Sequence, residues 1–195
     1  MKTITRKISM FALLMITGFL MVSCGGAKEA EAVESVDKNT GGFNEITIPC
    51  AKDGYSDKKF FRASSSGKSK DLATSREKAL LMTKQRLASL ISSTLKSVTE
   101  RYVNEMDAAD ATEFNQTFEN MTRDVVKQQL ADIRVTCEKT GKKDDGSFET
   151  FIAIEVDKET ILNGIDKGIS RDKKMEVLYD KERFKKTYEA EMDKM

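Results

Sequence analysis

The apolar positions of this chain fall into two regimes. Residues 8–22, ISMFALLMITGFLMV, form a nearly unbroken apolar block. From residue 43 onward apolar residues recur singly, at spacings that switch between the period of a strand and that of a helix. NEITIPC alternates Ile46, Ile48 and Cys50 on one face and predicts a first strand, with Pro49 marking its end or a sheet edge. KDGYSD carries turn chemistry, and KKFFRASS reads as a second strand. Asp71 or Ser69 then caps a long helix on which Leu72, Ala79, Leu80, Leu87, Ile91, Leu95, Val98 and Tyr102 recur at helical spacing. To about residue 105 that helix spans ~50 Å at ~1.5 Å per residue. A second helix, about 109–131, is striped by Phe114, Phe118, Met121 and Val125. The connection EMDAADATE is short, so the two helices pack antiparallel or the chain bends sharply.

A hairpin follows. IRVTCEK places Ile133, Val135 and Cys137 on one parity, KKDDGS supplies an Asp145-Gly146 turn, and FETFIAIEV alternates Phe148, Thr150, Ile152, Ile154 and Val156. Asp157 caps a short helix with Ile161, Leu162 and Ile165. The charged tail from about residue 170 carries Met175, Leu178, Phe184, Tyr188 and Met192 near one side of a helix. Paired strands with segregated helices predict an α+β fold. The expected form is an antiparallel sheet of about four strands with two long helices packed on it, plus a C-terminal helix. Cys50 and Cys137 both sit on the apolar parity of a predicted strand. If those strands are neighbours, a disulfide can form; the alternative is two free, buried thiols.

Charge changes the picture at the start of the chain. Lys2, Arg6 and Lys7 precede the apolar block, and SCGG follows it. A positive start, an apolar stretch too short to span a bilayer and a small residue before a cut describe a secretory signal over residues 1–23. Met21-Val22-Ser23-Cys24 resembles the bacterial lipobox, in which the cysteine after the cut receives diacylglycerol, although leucine is usual where Met21 stands. Cys24 is therefore the expected lipidation site, and a plain signal peptide is the alternative. Residues 24–42, rich in charge and without a large aromatic, read as a tether. Residues 43–170 form the domain, and 171–195 the C-terminal amphipathic helix. Gly25 stands where an aspartate would hold a lipoprotein at the inner membrane, which favours the outer membrane. Glu29, Glu31 and Glu34 leave the choice between periplasmic face and cell surface open.

The chemical motifs are poor. Lysines and arginines number 33 against 32 acids; removing the three basic residues of the signal leaves 30 against 32, a net of −2. No basic excess marks a nucleic-acid partner. Gly67-Lys68-Ser69 ends like a phosphate loop, but the first glycine of that motif would be residue 62, which is Arg62. No nucleotide site is expected. The chain has no histidine, which excludes Ser-His and Cys-His nucleophile pairs and argues against ordinary zinc sites. DDGS does not match a calcium loop. No catalytic residue, cofactor or metal is assigned. The tail stripe either packs on the protein's own domain or contacts an envelope partner or a second copy.

FFRASSSGKSKDLATSREKALLMTKQRLA, residues 60–88, resembles the Lpp-twenty family of bacterial envelope lipoproteins. An aromatic-Arg-Ala strand leads to a small-residue G-x-S turn and then a helix with spaced Ala and Leu. The corresponding residues are Phe61, Arg62, Ala63, Gly67, Ser69, Ala79, Leu87 and Ala88. The likeness extends over roughly residues 45–165 and implies a compact α+β fold on an acylated anchor, with no catalytic residues. The expected function is a lipid-anchored, non-catalytic envelope protein with a structural or adaptor role. The alternative is a surface-displayed binder of a small ligand or glycan, which the absence of Trp disfavours.

Overall fold

A computed structural model describes residues 45–104 and 106–194. Cys24, the expected signal and the whole of the expected tether, residues 24–42, lie outside them. The elements are β1 (Phe60–Ser69), α1 (Leu72–Val103), α2 (Ala108–Gln129), β2 (Arg134–Lys142), β3 (Phe148–Asp157), α3 (Lys158–Ile169), α4 (Lys173–Leu178) and α5 (Lys181–Met192). The class is α+β, as the pattern predicts. The sheet has three antiparallel strands in the order β1-β3-β2, not four.

The missing strand is NEITIPC. Residues 45–48 adopt no regular structure, and Ile46 and Ile48 are 79% and 56% exposed. The segment turns at Pro49-Cys50, where Cys50 takes a φ of 58°, and passes through a 3-10 turn at Lys52–Gly54. It then crosses the sheet face opposite α1 as a strap. Gly54 lies so close to Ser64 that a Cβ there would sit 2.8 Å from the Ser64 backbone nitrogen. The Ser56 hydroxyl accepts from the Arg62 N–H at 2.9 Å, serving a donor on the free edge of β1.

One face of the sheet is the core face. Phe61, Ala63, Ile152, Ile154 and Val156 are buried there beside α1. The buried row of α1 runs Ser75, Ala79, Thr83, Leu87, Ile91, Leu95, Val98, Tyr102, steps of three to four that keep one side of the helix inward. Its N-cap is Asp71, whose side chain accepts from the Thr74 N–H at 2.8 Å. Beneath its first turns a hydroxyl chain, buried at Ser75 and Thr150, spans the sheet. Ser75 donates to the Gly67 carbonyl at 2.9 Å and meets Thr150 at 2.8 Å, and Thr150 meets Thr140 at 2.9 Å.

The tail is two helices, not one. Tyr179 and Asp180 break it, and Asp180 caps α5 by accepting from the Arg183 N–H. Its stripe packs on the protein itself. Met175, Phe184, Tyr188 and Met192 are all at most 6% exposed. Phe184 joins Tyr102, Phe114, Phe118 and Tyr179 in a ring cluster with centroid separations of 5.1 to 6.3 Å. Tyr188 donates to the Lys158 carbonyl at 2.7 Å, and the Asp180 N–H donates to the Tyr102 hydroxyl at 2.7 Å. Burial, followed by the hydrogen bond to Asp166, pushes the Tyr179 hydroxyl far above its ordinary range.

Candidate functional site

The Gly67-Lys68-Ser69 stretch is not a turn and holds no phosphate-loop geometry. It is the end of β1, paired antiparallel with Phe148 to Thr150. Gly67 is needed for packing, because a Cβ there would stand 2.4 Å from the Ala79 nitrogen and 2.6 Å from the Ser75 carbonyl oxygen. Strand and helix touch backbone to backbone at this point, which only glycine permits. Lys68 pairs with Asp145 at 2.9 Å, and the Ser69 hydroxyl accepts from the Asp71 N–H at 3.3 Å. Phe61, Ala79 and Leu87, from the same stretch, are fully buried and serve the core.

Cys50 and Cys137 are bonded, with Cα atoms 5.6 Å apart. The bond forms by a route the strand parity does not foresee. A bulge between Val135 and Cys137 changes the register of β2, so those two residues face opposite sides. Val135 pairs with Ile154 of the core face, while Cys137 pairs with Ala153 of the outer face, where the strap carries Cys50. The disulfide therefore ties a turn to an edge strand across the sheet. Asp53 lies near both sulfurs, but these are committed to each other.

Below the strap is a cluster of charge. Glu155, 4% exposed, accepts from Arg62 Nε at 2.7 Å and pairs with Arg134. Arg62 also reaches Asp57 at 2.5 Å. Glu155, then Asp57, holds the Arg62 guanidinium above its ordinary value. Arg62, Arg134 and Lys59 lie 5.1 to 5.3 Å from the centroid of the Phe60 ring. A carboxylate clamped by two guanidiniums is an ion-pair network that joins all three strands. An adjoining cavity of about 390 Å³ reaches Gln129, Asp132 and Thr160.

A cavity of about 560 Å³ lies between α1 and α2. The helices run antiparallel: Glu100 lines its walls with Asn115, and Ala88 shares an adjoining hollow of about 400 Å³ with Leu130. Ser92 and Arg123 line both, so the two form one groove. The α1 wall is made of small residues: Ala88, Ser89, Ser92 and Ser93. Phe118 and Val126, both buried, underlie it. The Thr122 hydroxyl oxygen, also part of this lining, is buried with no hydrogen-bond partner, an arrangement that costs about 1–3 kcal/mol. Lys96-Glu100 and Glu119-Arg123 pairs, at 3.9 and 3.4 Å, sit on the two rims. Residue spacing alone does not reveal this groove, because it depends on how the two helices meet.

Among the described residues no helix is long and apolar enough to cross a membrane. Compared with protein-family models, curated proteins and solved structures, the chain matches none.

Proposed function

We propose that this chain is a lipid-anchored, non-catalytic protein of the bacterial cell envelope, with a structural or adaptor role at the outer membrane. The observation that carries this reading is the Cys50–Cys137 disulfide. Such bonds persist in oxidising compartments and are rare in the cytosol, which agrees with an export signal ending at Cys24. The Lpp-twenty-like stretch supports the same assignment. With diacylglycerol and a further acyl chain on Cys24, membrane attachment is stable, because more than one chain is present. The reactive groups of the domain also support a non-catalytic role: the buried carboxylate is clamped and the buried hydroxyls of α1 and β3 are bonded to one another.

The test is metabolic labelling with an acyl probe, followed by membrane fractionation of the natural chain and of Cys24→Ala. The natural chain takes the label and sediments with outer membranes, while the variant loses both properties. Unchanged membrane attachment of an unlabelled Cys24→Ala chain sinks the proposal. A second reading, a binder of small ligands, draws support from the α1–α2 groove with its unpartnered Thr122 hydroxyl.

A further inference from the structure

Charge is divided unevenly over the helices. Residues 76–88, in the first half of α1, carry four cations and one acid, Glu77. Residues 107–132, which include α2, carry six acids and two cations. Arg76 is paired with Glu138. Among the described residues no carboxylate pairs with Lys78, Lys84 or Arg86, nor with Lys70 just before the helix. Lys78 donates instead to the Lys68 carbonyl at 3.4 Å, and Arg86 to the Ser64 carbonyl at 3.1 Å. The same half of α1 exposes apolar side chains. Its buried row is Ser75, Ala79, Thr83 and Leu87. At about 100° per residue, Leu81, Gln85 and Lys78 fall on the opposite side, with Met82 at its border, Lys84 on one flank and Arg86 on the other. Leu81 is 58% exposed and Met82 44%. The second helix does not reach them, because α2 ends at Gln129 and the hollow at that end is lined by Ala88.

Two apolar side chains are few for a stable protein interface, which takes about 20–30 residues a side. Ringed by unpaired cations, they match an anionic bilayer surface. The tips of Leu81 and Met82 enter the boundary between headgroups and acyl chains, while the lysine stems lie along it and lift their ammonium groups to the phosphates. Each cation held near such a surface strengthens binding about fivefold. The acid-rich α2 is repelled by the same surface, so the charge pattern selects one pose. With attachment at Cys24, the 20 residues from Gly25 to Asn44 reach ~70 Å when extended. That exceeds the ~20 Å thickness of a helix packed on a sheet, so the point where the chain enters the domain does not prevent α1 from facing the membrane.

We infer that the outward face of the first half of α1, centred on Lys78 and Leu81, docks on an anionic lipid bilayer. This goes beyond the envelope role proposed above. It does not depend on lipid at Cys24, because docking is a property of the folded domain.

The test uses the full chain, purified with its disulfide intact and carrying one added cysteine for an environment-sensitive fluorophore. Gln85→Cys places the probe on the α1 face and Lys186→Cys places it on the exposed side of α5; the natural chain is the blank. Vesicles are phosphatidylcholine alone or with about one-third phosphatidylglycerol, and brominated acyl chains quench any probe that reaches them. On anionic vesicles the probe at residue 85 shifts to the blue and is quenched. Both effects vanish on phosphatidylcholine alone and at about 1 M salt, and the probe at residue 186 stays in water throughout. Leu81→Asp with Met82→Asp abolishes docking, and Lys78→Gln with Lys84→Gln weakens it about 25-fold. Both double variants keep the natural circular dichroism spectrum, because none of the four side chains is buried. An unquenched probe at residue 85 overturns the inference, as do equal quenching at both positions, quenching that ignores vesicle charge, and docking indifferent to either double variant. A blue shift without vesicles that grows with protein concentration also overturns it and makes a second copy the occupant. Flotation with phosphatidylcholine vesicles reports the anchor at Cys24 separately, since acyl chains need no anionic lipid.

Discussion

Replacing Phe184 by alanine asks how firmly the tail belongs to the fold. Phe184 is fully buried, with its ring centroid 5.3 Å from Tyr102 and 5.4 Å from both Phe118 and Tyr179. Removing a buried Phe side chain loses its transfer energy and leaves a cavity, together about 3–5 kcal/mol. Three aromatic partners among its neighbours place the expected loss in the upper half of that range. There is a ceiling, however. If α5 can undock while the rest stays folded, the substitution cannot cost more than the free energy of docking. Urea unfolding followed by circular dichroism gives the global loss, and hydrogen exchange of the α5 amides gives the local one. The control is Val177→Ala, at a side chain 85% exposed, which changes stability by less than about 0.5 kcal/mol. A Phe184→Ala loss under about 1 kcal/mol, with α5 amides still protected, would refute the reasoning. The tail would then be held by something other than its aromatic seat.

Other consequences can be measured alongside. Gly67→Ala destabilises by about 3 kcal/mol because its Cβ meets the α1 backbone; Gly141→Ala, with nothing within 4 Å, is neutral in the same melts. Reducing the Cys50–Cys137 bond, which spans 87 residues, lowers stability by about 4–5 kcal/mol in the loop-entropy view; equal midpoints with and without reductant in urea melts would contradict that. Asp57, Asp71 and Asp145 are all held below the ordinary carboxylate value. The causes are, first, the Phe60 N–H for Asp57, the Thr74 N–H for Asp71 and the Ser147 hydroxyl for Asp145. Their contribution is complete above the unfolded value of about 4 and is lost as pH falls toward the lower folded values. Denaturation midpoints therefore hold between pH ~5 and ~7 and drop below pH ~4; a midpoint flat down to pH ~2 excludes these contacts.

Helices and the hairpin were legible because their signals are local. The Asp71 cap, the apolar row of α1 and the Asp145-Gly146 turn each depend on residues a few positions apart. NEITIPC shows the limit. Alternation describes which residues share a side, but a strand also needs a partner edge, and among the described residues no ladder partner lies beside residues 45–48. Cys137 shows a second limit. One bulge residue reverses side-chain parity, so the disulfide was reachable in sequence only under a wrong premise about neighbouring strands. The tail stripe was legible as a stripe, but whether it faces inward is decided by the ring cluster of α1 and α2, residues far away in sequence. The α1–α2 groove is a product of that same packing, which is why no motif announced it.

The strap and its disulfide also set where mechanical load enters the domain. A pull arriving from before residue 45 reaches Cys50 and crosses at once to Cys137 on β2. The strap behind Cys50 carries none of the tension, and the force is borne by one covalent bond and the β2-β3 ladder. With the bond reduced, the same pull would first peel residues 51–59 from the sheet, stopping where β1 begins at Phe60. Nine residues at about 3.4 Å each release roughly 30 Å of chain. The redox state of one cystine thus fixes how much extended chain can precede the first strand under load.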